Sequence, residues 1–352
     1  MEGDISSHTT DRDVKILLMR HSVDPNELGY SSGAVGVQKT EDKKVAVILP
    51  AYNEAQTIGS TIRALHSAIP MAELWVVNNN SSDDTEDIAR KLLEELSAKG
   101  GVLAEPRQGK GNAVRRAFHE IDADVYVLID ADFTYPAWRI GDLIQPIIDG
   151  RADMVVGDRH TGGYYRRENR RPMHNYGNRM VQSLVNRLFG ASLVDIMSGY
   201  RAFNRMFVKN YPILVEGFEI ETDMTLHALD KKFRIVEIPI EYRDRPTGSF
   251  SKLNTLKDGA RVISAIVRIL RHYRPLAFFG GMGVLLASLG LLAAAPVFDD
   301  WVRSHYIYHV PLAILATGIE IVALLMFAIG LVLDSIADQG KRNFERELLR
   351  RF

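Results

Sequence analysis

The sequence predicts an α/β fold: a mainly parallel sheet with helices packed against it, followed by two helices long enough to cross a membrane. Three observations carry this expectation. From Val45 onward, short apolar runs alternate with longer amphipathic stretches, the pattern of successive βαβ units. From Pro275 to Phe298 the chain has no charged residue, and from Val310 to Leu333 it carries only Glu320. The chain has 352 residues, enough for a full-sized core plus an added element, and no cysteine, which excludes disulfides, thiolate nucleophiles and Cys-ligated zinc.

Taken in order, residues 1–44 form a polar extension around one short apolar piece, "KILLM", and are expected to be weakly ordered. Residues 45–254 hold the α/β domain. "VAVILP", "ELWVVN", "GVLAE", "DVYVLID" and "DMVVG" read as buried strands, with "DDTEDIARKLLEELSAK" and "GNAVRRAFHEI" as amphipathic helices between them, and "RIVEIPIEY" as a later strand. Residues 255–274 contain "ARVISAIVRILRHYR", a basic amphipathic helix suited to lie along a membrane surface. Residues 275–333 form the apolar hairpin and 334–352 a basic tail.

Charge sets the expected orientation. Arg268, Arg271 and Arg274 precede the first span, and Lys341, Arg342, Arg346, Arg350 and Arg351 follow the second, against Arg303 alone in the connecting loop. The positive-inside rule then places both ends, and the large domain, in the cytoplasm of an integral membrane protein. The formal net charge of -1 gives no global hold on nucleic acid. Glu320 is costly in lipid, and a hydrogen bond across the hairpin, or to a second protomer in a homo-oligomer, would satisfy it.

Ligands of an α/β sheet bind at the carboxyl ends of its strands. There the loops are "PAYNEA", "NNNSSDDT", "EPRQGKGNA" and "DADFTYP", all polar. Asp130 and Asp132 are two positions apart on extended backbone, so both carboxylates can point to one place. Unpaired they repel, whereas a divalent cation such as Mg²⁺ or Mn²⁺ joins them, its other ligands coming from substrate phosphates. Solvated turn carboxylates are the alternative.

"VAVILPAYNEAQTI", "VVNNNSSDDT", "GKGNAVRRA", "DADFTYP" and "SGYRAF" resemble family 2 glycosyltransferases of the GT-A fold. "EIPIEYRDRPTGSFSKLN" followed by membrane spans is similar to the subgroup that glycosylates polyprenyl phosphates, which includes dolichyl-phosphate mannose synthase. The resemblance implies a nucleotide-sugar donor, a divalent metal at Asp130 and Asp132, and inversion at the anomeric carbon. Pro50, Ala51, Tyr52 and Glu54 match the first nucleotide-binding loop. The acidic pair usual in the second loop falls on Asn78 and Asn79, which both accept and donate hydrogen bonds and so do not enforce uracil. Asp83 matches an acid of that loop, or caps a helix with Glu86. Lys110 lies in "GKGNA", whose glycines would admit the donor and whose lysine would neutralise diphosphate, with Asp130, Ala131 and Asp132 completing the donor side.

An anionic acceptor requires cations. Arg159, Arg170, Arg171, Arg201, Arg245, Ser251 and Lys252 are the candidates, and Arg159 and Arg245 fall on phosphate-binding positions of the family; these two join Asp130 and Asp132 as expected catalytic residues. Glu219 and Glu221 fall near a family acid at the start of a helix, or compensate the helix dipole. The expected activity is inverting transfer of a hexose to a membrane polyprenyl phosphate, giving a lipid-linked sugar for extracytoplasmic or lumenal glycan assembly. That acceptor is already ionised and needs no strong general base. Transfer to a hydroxyl acceptor in glycolipid synthesis, which needs such a base, and a non-catalytic membrane scaffold are the alternatives.

Overall fold

The computed structural model describes residues 43–161, 172–217, 219–242 and 266–350. Their first part forms a sheet of seven strands: β1 (Val45–Ala51), β2 (Glu73–Asn78), β3 (Gly100–Ala104), β4 (Val125–Leu128), β5 (Met154–Asp158), β6 (Arg201–Asn204) and β7 (Ile235–Pro239), in the spatial order β3-β2-β1-β4-β6-β5-β7. Strands β3, β2, β1 and β4 run parallel, and β5 and β7 run parallel to each other. β6 is antiparallel to both of its neighbours. The mainly parallel α/β sheet is as expected from the sequence, with two differences. "GVLAE" was expected as a buried strand, but β3 is the sheet edge and is half-exposed along its length. β6 was not expected at all, its four residues being too short to register as an apolar run.

The alternation of β1 divides the core. Val45, Val47 and Leu49 face one side, packed with α1 (Ile58–Ala68), α2 (Thr85–Glu95) and, past α3 (Lys110–Glu120), α4 (Ile140–Ile148). Ala46 and Ile48 face the other side, where α3 packs with α6 (Arg205–Asn210) and α7 (Ile220–Asp230), the helices that follow α5 (Pro172–Phe189) and β6. Reversal of β6 has a positional effect. The carboxyl ends of β1, β2, β4 and β5 share one rim, and the antiparallel β6 begins at that rim, so residues 198–200 enter the site that the parallel strands build.

Residues 266–273 are helical, in keeping with the expected amphipathic segment, the earlier part of which lies outside the described residues. Two long helices follow, α8 (Pro275–Ser304) and α9 (Val310–Leu349), packed along a seam of Gly280, Gly283, Gly290, Ala316, Ala323 and Gly330. Both are long and apolar enough to cross a membrane. Away from the seam they present bare apolar side chains, with Leu292 71% and Leu324 72% exposed, which a buried hairpin of a globular core would not. Glu320 lies against Gly290, and its Oε1 is buried without a hydrogen-bond partner. The cross-hairpin bond expected for this atom is therefore absent among the described residues.

α9 continues unbroken past Leu333, and its far end packs on the α/β domain. Phe344 lies 5.7 Å from the His227 ring and 6.0 Å from Phe233, with the Lys231 ammonium 5.2 Å from its own ring, and Lys341 pairs with Asp230 at 3.3 Å.

Candidate active site

The loop after β1 is tied to the loop after β2. The Glu54 amide donates to Thr85 Oγ1 at 2.8 Å, the Ala55 amide to Asp83 Oδ2 at 3.2 Å, and the Ser82 amide to Asn53 Oδ1 at 2.8 Å, while Asn53 holds a left-handed φ of 54° that its short polar side chain tolerates. Burial pushes the Asp83 carboxyl up, but hydrogen bonds from the Thr85 hydroxyl and the Ala55 and Thr85 amides outweigh it and hold the group below the usual range. Asp83 is thus a brace between loops, and the capping partnership with Glu86 is not formed, since Glu86 bonds to Asn78 and Arg90. Pro50 and Ala51 end β1, and Tyr52, 37% exposed, and Glu54 open the loop.

Asn78 and Asn79 turn inward. Asn78 accepts from the Ser81 amide at 3.1 Å and donates to Glu86. Asn79 donates to the Arg107 carbonyl at 2.6 Å and accepts from the Gly109 amide at 2.7 Å, so it fixes the loop that delivers Lys110. The glycines around Lys110 also serve the chain itself. A Cβ at Gly109 would come within 2.1 Å of the Glu216 carbonyl oxygen, and one at Gly111 within 2.1 Å of that of Val215. The glycines therefore admit the backbone of residues 215–216.

Lys110, the first residue of α3, reaches across to the end of β4. Its ammonium hydrogen-bonds Asp130 Oδ1 and, at 2.5 Å, Glu221 Oε1 on α7. Side-chain exposure is 8% for Lys110 and 7% for Glu221 against 28% for Asp130, so the pair is closed on the protein side and open at Asp130. Burial alone would lower the lysine's pKa, but the two carboxylates reverse this and raise it, so the ammonium is firmly charged. Asp132 is 4% exposed, and its Oδ1 accepts from the Thr134 hydroxyl at 2.6 Å and the Thr134 amide at 3.2 Å. Phe133 between them has a φ of 62°, a conformation that costs a non-glycine residue about 1–2 kcal/mol. The Ala131 carbonyl is held by the Thr61 hydroxyl at 3.1 Å.

Residues 198–200 close this corner. The Gly199 amide donates to the Tyr135 hydroxyl at 2.9 Å, and a Cβ on Gly199 would come within 2.5 Å of Asp130 Oδ2 and 3.0 Å of Lys110 Nζ. The donor set, two carboxylates at a strand end, suits a hard divalent cation. No cluster of three or more His, Asp or Glu side chains arranged for a metal occurs among the described residues; Mg²⁺ held by two carboxylates usually takes further ligands from water and substrate phosphates.

Arg159 follows β5 on the same rim. Its Nε and Nη2 grip Asp195 at 2.7 and 2.9 Å, and its guanidinium carbon is 5.4 Å from the Tyr242 ring centroid. Burial pushes the Asp195 carboxyl up, but Arg159 overrides this and holds it low. Glu237 in turn accepts from the Val194 and Asp195 amides at 2.8 and 2.7 Å. One edge of the Arg159 fork is therefore engaged within the protein. Arg201 departs from expectation. It is fully buried and donates to the Ser198 and Ile196 carbonyls at 2.7 and 2.9 Å and to Thr225 Oγ1 at 2.9 Å, so it holds the approach to β6 and presents no face to a phosphate. Arg170, Arg171, Arg245, Ser251 and Lys252 lie outside the described residues.

Sequence reasoning missed Gly199, Tyr135, Asp195 and the lysine-holding role of Glu221. Asp195 left one signal, a lone acid within the apolar "SLVDIM", where burial demands a partner.

The sequence model of the family described as Glycosyl transferase family 2 matches residues 46–211. The chain is 32% identical over 310 residues to Glycosyltransferase AglJ of Haloferax volcanii, covering 86% of this chain and 98% of that protein. It is 30% identical over 230 residues to the dolichyl-phosphate hexose transferase of the same organism, covering 65% of this chain and 95% of that one. Among solved structures, glucosyl-3-phosphoglycerate synthase from Mycobacterium tuberculosis, crystallised with Mn²⁺, uridine diphosphate and phosphoglyceric acid, shares the fold with a TM-score of 0.53 at 21% identity, covering 66% of this chain and 79% of that one.

Proposed function

Because this chain belongs to glycosyl transferase family 2 and has the GT-A fold, we propose that it transfers a hexose, with inversion at the anomeric carbon, from a nucleotide sugar to the phosphate of a membrane polyprenyl phosphate. The observation that carries this reading is the union, in one chain, of the Lys110–Asp130–Asp132 corner with an apolar hairpin long enough to cross a membrane. The dolichyl-phosphate hexose transferase among its relatives supports the acceptor class.

In the proposed reaction a phosphate oxygen of the acceptor attacks the anomeric carbon as the bond to the nucleoside diphosphate breaks. No proton has to be removed from the attacking oxygen. On the rim Lys110 engages Asp130 and Glu221, and Arg159 engages Asp195, so these three carboxylates are committed to cations, whereas a hydroxyl acceptor would need a carboxylate free as a base. Asp130 and Asp132 would hold a Mg²⁺ or Mn²⁺, which supplies neutralisation of the departing diphosphate. Lys110 adds a charge of the same sign from the protein side, and Thr134 keeps the Asp132 carboxylate aimed. Arg159, with Arg245, would orient the acceptor phosphate, Arg159 being held in place by Asp195 and Tyr242. The Lys and Arg residues flanking the hairpin support a cytoplasmic position for this domain.

The test is to incubate membranes containing the protein with polyprenyl phosphate and a panel of radiolabelled nucleotide sugars. The expected product is a lipid whose label is released by mild acid but survives alkali. A label stable to mild acid would mark a hydroxyl acceptor and sink the phosphate assignment.

A further inference from the structure

We propose that Lys110 is an internal counter-ion that competes with the divalent cation for Asp130, and that Glu221 is the positioning residue that sets the strength of this competition. The inference rests on the metal site described above and deepens it.

Asp130 faces Lys110 with Oδ1 and Gly199 with Oδ2. The ammonium is enclosed by Asp130, by Glu221 at 2.5 Å, and by Gly199, whose missing side chain leaves the space it occupies. Asp130 and Asp132 would otherwise stand as two negative charges at one strand end, at a cost that burial of Asp132 increases. The lysine removes that cost. A dication arriving at Asp130 then meets a carboxylate already neutralised and a like charge beside it, so it binds weakly alone. A nucleoside diphosphate changes the balance, because its oxygens offer the ammonium a second anion and the dication further ligands. Binding of metal and of diphosphate is thereby coupled through Lys110, and the coupling is reciprocal.

Glu221 decides how tightly Asp130 is claimed. Held between two carboxylates, the ammonium shares its charge, and Asp130 keeps part of its own for the dication. Neutralising Glu221 leaves Lys110 paired with Asp130 alone. Removing the lysine's charge frees Asp130 entirely. The two substitutions therefore move metal affinity in opposite directions, although each deletes one member of the same buried pair, and simple loss of structure would weaken binding in both.

The experiment titrates detergent-solubilised full-length protein with Mn²⁺, read by electron paramagnetic resonance, alone and with UDP or GDP, for wild type, Lys110→Gln and Glu221→Gln. Lys110→Gln is expected to bind Mn²⁺ alone about tenfold more tightly than wild type, with a smaller gain on adding nucleotide, and Glu221→Gln several-fold more weakly. Unchanged or weaker Mn²⁺ binding by folded Lys110→Gln, or tighter binding by Glu221→Gln, would overturn the inference and leave the metal site standing. Wild-type protein that binds no Mn²⁺ with either nucleotide would remove the metal site and the inference together. If Lys110→Gln fails to fold, as circular dichroism would report, the gain in Mn²⁺ affinity that UDP or GDP gives folded Glu221→Gln decides: a larger gain than in wild type supports the inference, and an equal or smaller one overturns it.

Discussion

Gly199 stands so close to Asp130 that one added carbon on the glycine would come within 2.5 Å of the carboxylate's Oδ2. The contact joins the start of the reversed strand β6 to the end of β4, so the placement of a candidate metal ligand depends on a residue distant from it in sequence.

Gly199→Ala is accordingly expected to displace Asp130 while leaving the sheet intact. A shift near 1 Å at a reacting centre costs about 100-fold in rate. Turnover measured beside the melting temperature checks this, and near-normal turnover in a folded variant would show that Asp130 does not need its present position.

Asp132→Asn keeps an acceptor for Thr134 and the buried shape of the turn but removes the charge. Transfer should fall by about 100-fold or more, with expression and membrane insertion unchanged. Activity that stays high and ignores chelator would rule out a metal at this pair.

Asp195→Asn leaves the Arg159 guanidinium, 12% exposed, without its anion. The cost at neutral pH should be on the order of 3 kcal/mol. The folded Asp195 carboxyl is depressed below its ordinary value of 3.8, so its stabilisation is complete above that pH and fades as pH falls through the lower folded value. Denaturant melts of wild type and variant should therefore converge only in strong acid; a gap that closes already at pH 6 would point to another group.

His227 titrates in the other sense of burden. Burial first, and Lys231 second, lower its pKa from 6.5 to about 4. Below pH 6.5 the unfolded chain takes up a proton that the folded chain refuses until about pH 4, so stability declines across that window, by about 3 kcal/mol at most. His227→Phe should flatten the decline between pH 6.5 and 4 in thermal melts. An unchanged slope would mean that the imidazole is not shielded as its ring neighbours indicate.

Phe344→Ala should release the end of α9 from His227 and Phe233. The cost should be about 2 kcal/mol, below that of a fully buried Phe because Phe344 is only partly covered. Limited proteolysis should then cut near the C-terminus before the domain unfolds, and equal resistance to wild type would place the anchoring elsewhere.

The sequence made the central strands legible because β1, β2, β4 and β5 are continuous apolar runs, and the aspartate pair legible because it ends one of them. What it hid depends on tertiary partners. An arginine in sequence reads as a surface cation, and only the carbonyls of Ser198 and Ile196 reveal Arg201 as a core residue. "GKGNA" reads as a ligand loop, and nothing in its spacing reveals that its glycines also pack on the backbone of residues 215–216. α5 is hidden because Pro172, Asn175, Gly177 and Asn178 interrupt its first half, although Val181, Val185 and Leu188 form an apolar stripe in its second, and the end of α9 is hidden because charges surround Phe344.

The unbroken α9 makes the attachment of the α/β domain a matter of helical phase. From Leu333 to Phe344 is 344 − 333 = 11 residues, a rise of about 16 Å at 1.5 Å per residue. Each residue inserted or removed in that interval would turn Phe344 by about 100° as well as shift it, swinging its ring away from His227. Length and azimuth are thus locked together, and changes of about seven residues, two full turns, are the small ones that would return the ring to the same bearing, at a different height.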